Sequence, residues 1–451
     1  MFSKFLHIFI ENQDKGIVMI IYVVQVGDTI TSIANRFGIS EARLVRENGL
    51  PNPNHLVIGQ AIVITNPQEI YIVKEEDNLS DIAKNYGIPI IQIYRYNPYL
   101  WDRDQLYPGE ELVISYDTQT TITTNAYAFP YIDNNILKKS LPNLTYLSIL
   151  NYKALRGGQI EPFYDDTDII KTAKEFGVLP LMLVTSVSFR GERNPEEVYE
   201  LLLNPDYQEM LIQSMIKILK EKGYYGINIT ITFLNKSTQQ LYIDMLNRIA
   251  SYLSKEGFKL FATIDPETTT DLNELLLEEE NATLYNRLVD DTYIMRFYWG
   301  TQFGPPRPVG SVSNISFYVN YFKEMIEPKN ISVGFPLLGY DWELPYIQGY
   351  SKANAITLDA AIELALITKT SILFDEVSKT PFYEFSVEVS GRKDEHIVWF
   401  VDARTIDEII KLVLDDRLGG TGLWNIMNFD PQLWLIINSN FMIKKLPPEM
   451  N

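Results

Sequence analysis

The spacing of apolar residues along this chain falls into two regimes. Between residues 20 and 116 short apolar runs, IYVVQV at Ile21–Val26 and IYIVKE at Ile70–Glu75, each lead into helically spaced apolar positions. In the first copy these are Ile30, Ile33, Ala34 and Phe37; in the second they are Leu79, Ile82, Ala83 and Tyr86. The two copies keep one offset: Tyr22 matches Tyr71, Asp28 matches Asp77, Gly38 matches Gly87 and Asn48 matches Asn97. Each closes alike, in LVIGQAIVI (Leu56–Ile64) and LYPGEELVI (Leu106–Ile114). Asp28 with Thr29, and Asp77 with Asn78, supply helix N-cap chemistry, and the two glycines suit helix C-caps. Each copy therefore reads as strand, helix, helix, strand.

From about residue 122 the pattern changes. Apolar runs bounded by turn residues alternate with amphipathic stretches such as PDYQEMLIQSMIKILKEKG. The runs are AYAFPYI, LTYLSIL, LPLMLVTSV, GINITITF, FKLFATI, TYIMRFYW, ISVGFPLLGY and TGLWNIM. Eight strands with helices between them predict a parallel (β/α)8 TIM barrel of the α/β class. The interval from Asp341 to about Ile397 carries its own helix and strand signals and predicts a small α+β insertion. The expected layout is an N-terminal extension at 1–19, repeat modules at 20–66 and 69–116, and a barrel at 120–446 with an insertion at about 342–397.

Composition narrows the chemistry. The 451 residues carry a formal net charge of −19, so a phosphate backbone or an anionic membrane is a poor partner. With no cysteine there is no disulfide, thiolate metal site or thiol nucleophile. The three histidines, His7, His55 and His396, lie far apart and match no metal or Ser-His-Asp spacing. No metal and no cofactor is expected. The N-terminal run Phe5–Ile10 is short, lacks a small-residue cleavage site and is followed by Glu11 and Asp14, so no cleavable signal peptide is expected. Met19 reads as the natural start, with residues 1–18 an upstream extension.

The repeated unit resembles the LysM module, which implies binding of N-acetylglucosamine-containing glycan such as peptidoglycan or chitin. The positions matching the family's groove are Gly27, Asp28, Thr29, Ile30, Leu56, Val57 and Ile58 in the first copy. In the second they are Asp77, Asn78, Leu79, Leu106 and Tyr107, with Glu76 standing where the first copy has Gly27. The barrel region resembles glycoside hydrolase family 18, in its LysM-bearing branch of spore cortex-lytic N-acetylglucosaminidases. That resemblance rests on the strand order, on WGTQFGPPRP after the sixth strand, on GFPLLGYDWELPY at the seventh, on VWFVDARTI, and on Trp424 ending the eighth. It implies that Trp424 floors the sugar cleft.

Family 18 chemistry implies a fourth strand of DxxDxDxE type. Its glutamate protonates the glycosidic oxygen, and the preceding inward aspartate orients the substrate's own acetamide, which acts as nucleophile. Alternate strand residues share a face, which fixes the spacing by two. Placing Gly226 of GYYGINITITF on the motif's glycine puts Asn228, Thr230 and Thr232 at the three carboxylate positions. A threonine hydroxyl gives up no proton near neutral pH. On the sixth strand Phe297 stands where the family has an assisting tyrosine.

These losses predict a catalytically inactive, chitinase-like glycan-binding protein, without catalytic residues. Its barrel would be a lectin-like body with Tyr298, Trp299, Tyr340 and Trp424 at the cleft, aromatic faces packing on sugar CH surfaces. Two alternatives stand beside it. One is an active N-acetylglucosaminidase of cortex or wall with a relocated acid, drawn from Asp265, Asp341 and Glu343. The other is a structural spore-coat or extracellular assembly protein. The resemblance places the protein at the spore surface or cell wall, with peptidoglycan or chitin-like glycan as partner, and the sequence identifies no protein partner.

Overall fold

The computed structural model describes residues 19–103, 105–118, 120–186, 195–231, 237–265, 279–295, 301–389 and 391–446. In the first module Met19–Val23 (β1) pairs antiparallel with Ala61–Thr65 (β2), Met19 opposite Thr65. Helices Ile30–Phe37 (α1) and Glu41–Asn48 (α2) lie between them in sequence and share the small core of Val24, Ile33, Leu44 and Ile62. The second module repeats this with Glu69–Ile72 (β3), Leu79–Tyr86 (α3), Ile90–Tyr96 (α4) and Glu111–Ser115 (β4). Both of the first helices stop at the predicted glycines, Gly38 and Gly87, each left-handed.

The repeat explains three recurring polar residues. Thr29 and Asn78 are the N-caps, each accepting a backbone N–H three residues on. Asp28 and Asp77 are not caps. They accept the hydroxyls of Tyr22 (2.6 Å) and Tyr71 (2.8 Å) and the amides of Gln25 and Lys74 (both 2.7 Å), fixing the loop between strand and helix. Asn48 and Asn97 bridge helix to strand. Each amide donates to a helix carbonyl and a strand carbonyl and accepts the Val63 or Val113 amide.

Eight parallel strands close the barrel: Thr120–Ala128 (β5), Tyr146–Ala154 (β6), Leu179–Thr185 (β7), Gly226–Ile231 (β8), Lys259–Ile264 (β9), Asp291–Ile294 (β10), Ile331–Pro336 (β11) and, after the insertion, Gly420–Trp424. Closure comes from β5, which pairs with β6 on one side and with Gly420–Trp424 on the other. Strands covered by helices outside and side chains inside carry few exposed residues, and β8 is buried throughout. Its Ile227, Ile229 and Ile231 join the main core shared with the outer helices, so Asn228 and Thr230 take the inward face.

The insertion is an antiparallel sheet of Gly339–Leu344 (β12), Asn354–Ile356 (β13), Leu373–Asp375 (β14), Thr380–Val389 (β15) and Arg392–Trp399 (β16), with helix Leu358–Ile367. It begins three positions before the expected boundary because β12 pairs with β16 from Tyr340 onward. Gly420–Trp424 is thus β17, and a last strand, Phe441–Ile443 (β18), adds to the start of β5 in parallel.

The amino end of the barrel is plugged by Tyr146, Leu181, Phe261 and Tyr293. Asp291 is buried beside them, accepting Ser332 Oγ (2.9 Å) and the Thr292 amide (2.8 Å). Burial pushes its carboxyl up to about 6. The folded chain therefore holds this proton more tightly than the unfolded chain does, and stability falls as pH rises from about 4 to about 6. Asp291→Asn should remove that loss, worth about 3 kcal/mol. Urea unfolding of both proteins at pH 4 and pH 7 measures it, and an equal pH dependence in the two would refute the assignment.

Candidate functional site

Barrel active sites assemble at the carboxyl ends of the strands, and here the layers leading up to that face can be followed residue by residue. In the middle of the barrel Asn228 uses both amide hydrogens, to Tyr127 OH (3.1 Å) and Ser148 Oγ (3.0 Å), and accepts from Thr263 Oγ1 at 2.8 Å. Tyr127 and Thr263 meet at 2.7 Å, and Asn125 bonds Ser148. Every side chain of this layer is uncharged, and among the described residues its members bond chiefly to one another.

One step higher on β8 lies Thr230, 6% exposed, whose hydroxyl is buried with no hydrogen-bond partner among the described residues. Across the ladder it faces Thr263, and two residues beyond Thr263 comes Asp265. Strand alternation puts Asp265 on the same inward face as Thr263, one layer further toward the cleft. It is 1% exposed and sits directly after the end of β9. Thr232, Phe297, Tyr298 and Trp299 lie outside the described residues.

Trp424 ends β17 as expected. It is 3% exposed and packs in a buried cluster with Tyr127 (ring centroids 5.9 Å apart), Phe129 (6.3 Å), Met295 and Leu183. Tyr340 departs from expectation. It is buried in the core on β12, its ring 5.4 Å from that of Trp342, because β12 turns away from the barrel into the insertion sheet. Trp342 is likewise buried, donating to the Gly304 carbonyl at 3.0 Å.

The other acids are committed elsewhere. Asp341 meets His396 Nδ1 at 2.9 Å across β12 and β16, and His396 stacks on Phe385 at 4.7 Å. Glu343 is paired with Arg392 at 2.8 Å on the outside of the same sheet. Of the three relocated-acid candidates, only Asp265 stands at a barrel strand end. Among the described residues no group of three or more potential ligands is placed to hold a metal, and no helix is long and apolar enough to cross a membrane.

The module grooves differ from each other. In the first, Gly27 and Thr29 are exposed, Asp28 is largely covered and Ile30 is core. Across from them Leu56 is half-buried and Ile58 exposed, but Val57, 5% exposed, packs among Ala361, Ala365 and Ile372 of the insertion. In the second, Asn78 is exposed, Asp77, Leu79 and Leu106 are half-buried, and Tyr107 is 55% exposed. Hydrogen bonds from the Lys74 amide and the Tyr71 hydroxyl hold the Asp77 carboxyl below the usual carboxylate range. Glu76 adopts φ 70°, the left-handed conformation that Gly27 takes at φ 84°, so the loop keeps its shape without the glycine.

Residues 22–65 and 71–115 match the family model of the LysM domain, and residues 182–428 match that of the glycosyl hydrolases family 18. The cortical fragment-lytic enzyme of Bacillus anthracis is 26% identical over 433 residues, covering 94% of this chain and 99% of that protein. The enzyme of the same name from Bacillus subtilis (strain 168) is 27% identical over 436 residues, covering 95% and 99%. Among solved structures, the spore cortex-lytic enzyme SleL of Bacillus megaterium QM B1551 superposes with a TM-score of 0.76 at 29% identity, over 94% of this chain and 99% of that one.

The neutral layer beneath the cleft has a measurable weight. Asn228→Ala strips one partner each from Tyr127, Ser148 and Thr263, which keep their bonds to one another and to Asn125, and each lost hydrogen bond costs about 0.5–1.5 kcal/mol. The urea midpoint should fall accordingly, with an unchanged slope. A midpoint within error of the original would mean that the layer is replaceable by water.

Proposed function

The chain belongs to glycosyl hydrolase family 18, and from that premise we propose that it binds and slowly hydrolyses N-acetylglucosamine-containing wall glycan, in the form of spore-cortex peptidoglycan. The LysM modules hold the glycan and the barrel acts as an N-acetylglucosaminidase, with Asp265 as proton donor. The observation that carries this reading is the position of Asp265: a buried carboxyl group that directly follows β9, two residues beyond the inward-facing Thr263, which pairs with Thr230 of β8. The names of the full-length relatives, which specify lysis of cortical fragments or cortex, support the same substrate class.

In this scheme Asp265 protonates the glycosidic oxygen as that oxygen's bond to the anomeric carbon breaks. The substrate's acetamide oxygen attacks the same carbon, forming a cyclic oxazolinium, and water later opens it, returning a proton to Asp265. Thr230 takes the place of the acetamide-orienting aspartate. Its buried hydroxyl can accept the acetamide N–H, but as a neutral group it stabilises the developing positive charge less than a carboxylate would. Slow turnover is the consequence. The sugar face packs on the floor that includes Trp424.

A second reading, glycan binding without cleavage, is favoured by one observation: on β8 the described inward positions above Gly226 are Asn228 and Thr230, with no carboxylate. Purified cortex fragments separate the two. Wild type should release soluble muropeptides, Asp265→Asn should release about 10²–10⁴-fold less, and Thr230→Asp should release more than wild type. Equal release by wild type and Asp265→Asn removes Asp265 from the chemistry. Sedimentation with the fragments but no release by wild type establishes the second reading.

A further inference from the structure

The two modules share a turn but not its surroundings. In the closing segments LVIG and LYPG, Gly59 and Gly109 take the same conformation, φ 86° and φ 87°. Their internal hydrogen bonds also match: Gly59 N to Val24 O at 2.9 Å and Gln60 N to Val57 O at 3.0 Å, against Gly109 N to Val73 O at 2.8 Å and Glu110 N to Tyr107 O at 3.1 Å. Whatever distinguishes the two grooves is therefore not the local fold.

The difference lies outside each turn. A Cβ added to Gly59 would come within 1.9 Å of the Ile372 carbonyl oxygen, whereas one added to Gly109 would meet nothing within 4 Å. The Ile58 carbonyl accepts the Ile372 amide at 2.8 Å, and the Gly59 carbonyl accepts Arg404 Nη2 at 3.1 Å. Val57, the counterpart of Tyr107, is buried in the insertion's core. One wall of the first groove has thus given its apolar side chain and two backbone acceptors to the barrel. Gln432 Nε2 adds bonds to Asn48 Oδ1 (3.0 Å) and the Ala61 carbonyl (2.9 Å), fixing the module from a second side.

The second module is held by a different face. Arg95 Nε donates to the Pro142 carbonyl at 2.9 Å, Asp102 pairs with Lys139 at 2.7 Å, and Trp101 packs on Phe176. None of these residues belongs to its groove. Tyr107 stays exposed, with the Arg103 guanidinium 4.8 Å from its ring centre, and Arg103 is itself paired with Glu110. A cation held against an aromatic ring restrains it and leaves the rest of the ring for stacking.

We infer that the modules are not equivalent: the first is a docking element whose groove wall is spent on the insertion, and the second, through Tyr107, is the glycan-capturing module. This rests on the glycan reading proposed above and specifies which site carries it. A stacked ring held in place gives up little conformational freedom on binding a sugar, whereas the first turn would have to break packing and two hydrogen bonds before offering the same atoms.

The test uses the full-length chain with a soluble N-acetylglucosamine oligomer and insoluble peptidoglycan. Oligomer binding should slow amide hydrogen exchange at residues 76–79 and 105–110 and leave 27–30 and 56–58 unchanged. Tyr107→Ala, an exposed position, should keep its melting temperature and weaken sedimentation with peptidoglycan by about tenfold or more. Protection at residues 27–30 or 56–58, or undiminished retention of Tyr107→Ala, overturns the inference while leaving glycan binding intact. Failure of the wild type to bind either ligand overturns the glycan reading, and the inference with it.

Discussion

The arrangement above the barrel floor depends on one constraint: a polar side chain at the centre of a closed ring of eight strands is costly unless it is hydrogen-bonded. Asn228 meets that constraint by spending both amide hydrogens and its carbonyl on Tyr127, Ser148 and Thr263. With these groups mutually satisfied, the interior stays neutral at mid-height. Ionisable chemistry is displaced to the two ends, with Asp291 at the amino end and Asp265 at the carboxyl end. A carboxylate at position 228 would need a counter-charge that none of these hydroxyl and amide partners supplies.

Much of this was legible in the chain. Seven of the eight barrel strands lie largely on the apolar runs, since a strand buried on both faces tends to be apolar, whereas β5 begins at Thr120, six residues ahead of the run AYAFPYI, in the polar stretch TTITTN. The module helices fall where the period of Ile30, Ile33, Ala34 and Phe37 puts them. Thr230, flanked by the apolar Ile229 and Ile231, also sits where alternation demands, facing inward with an unmet hydroxyl. The bulk of the core follows from local pattern because each element carries its own periodicity.

What the pattern could not carry was contact between distant segments. Val57 reads identically whether it lines a groove or packs against Ala361, more than three hundred residues later. Tyr340 resembles a strand-end aromatic until the pairing of β12 with β16 draws it into a separate sheet. Asp28 and Asp77 look like helix caps, and the tyrosine hydroxyls that claim them lie six residues earlier on the opening strands. The invariant pairing of Tyr22 with Asp28 and of Tyr71 with Asp77 in the repeat was a usable signal for that role. In each case one side chain has two chemically sound uses, and only the tertiary partner decides between them.

The seam of the barrel sets the order in which the chain can mature. β5 begins at Thr120, yet both neighbours on its far side, β17 and β18, come from residues 420–443. Each LysM module, by contrast, closes within about fifty residues through its own antiparallel pair. During synthesis from the amino end the modules complete their cores early, whereas β5 must wait with one edge uncovered until nearly the whole polypeptide has emerged. The C-terminal segment is therefore the clasp of the molecule, and every earlier barrel element is provisional until it arrives.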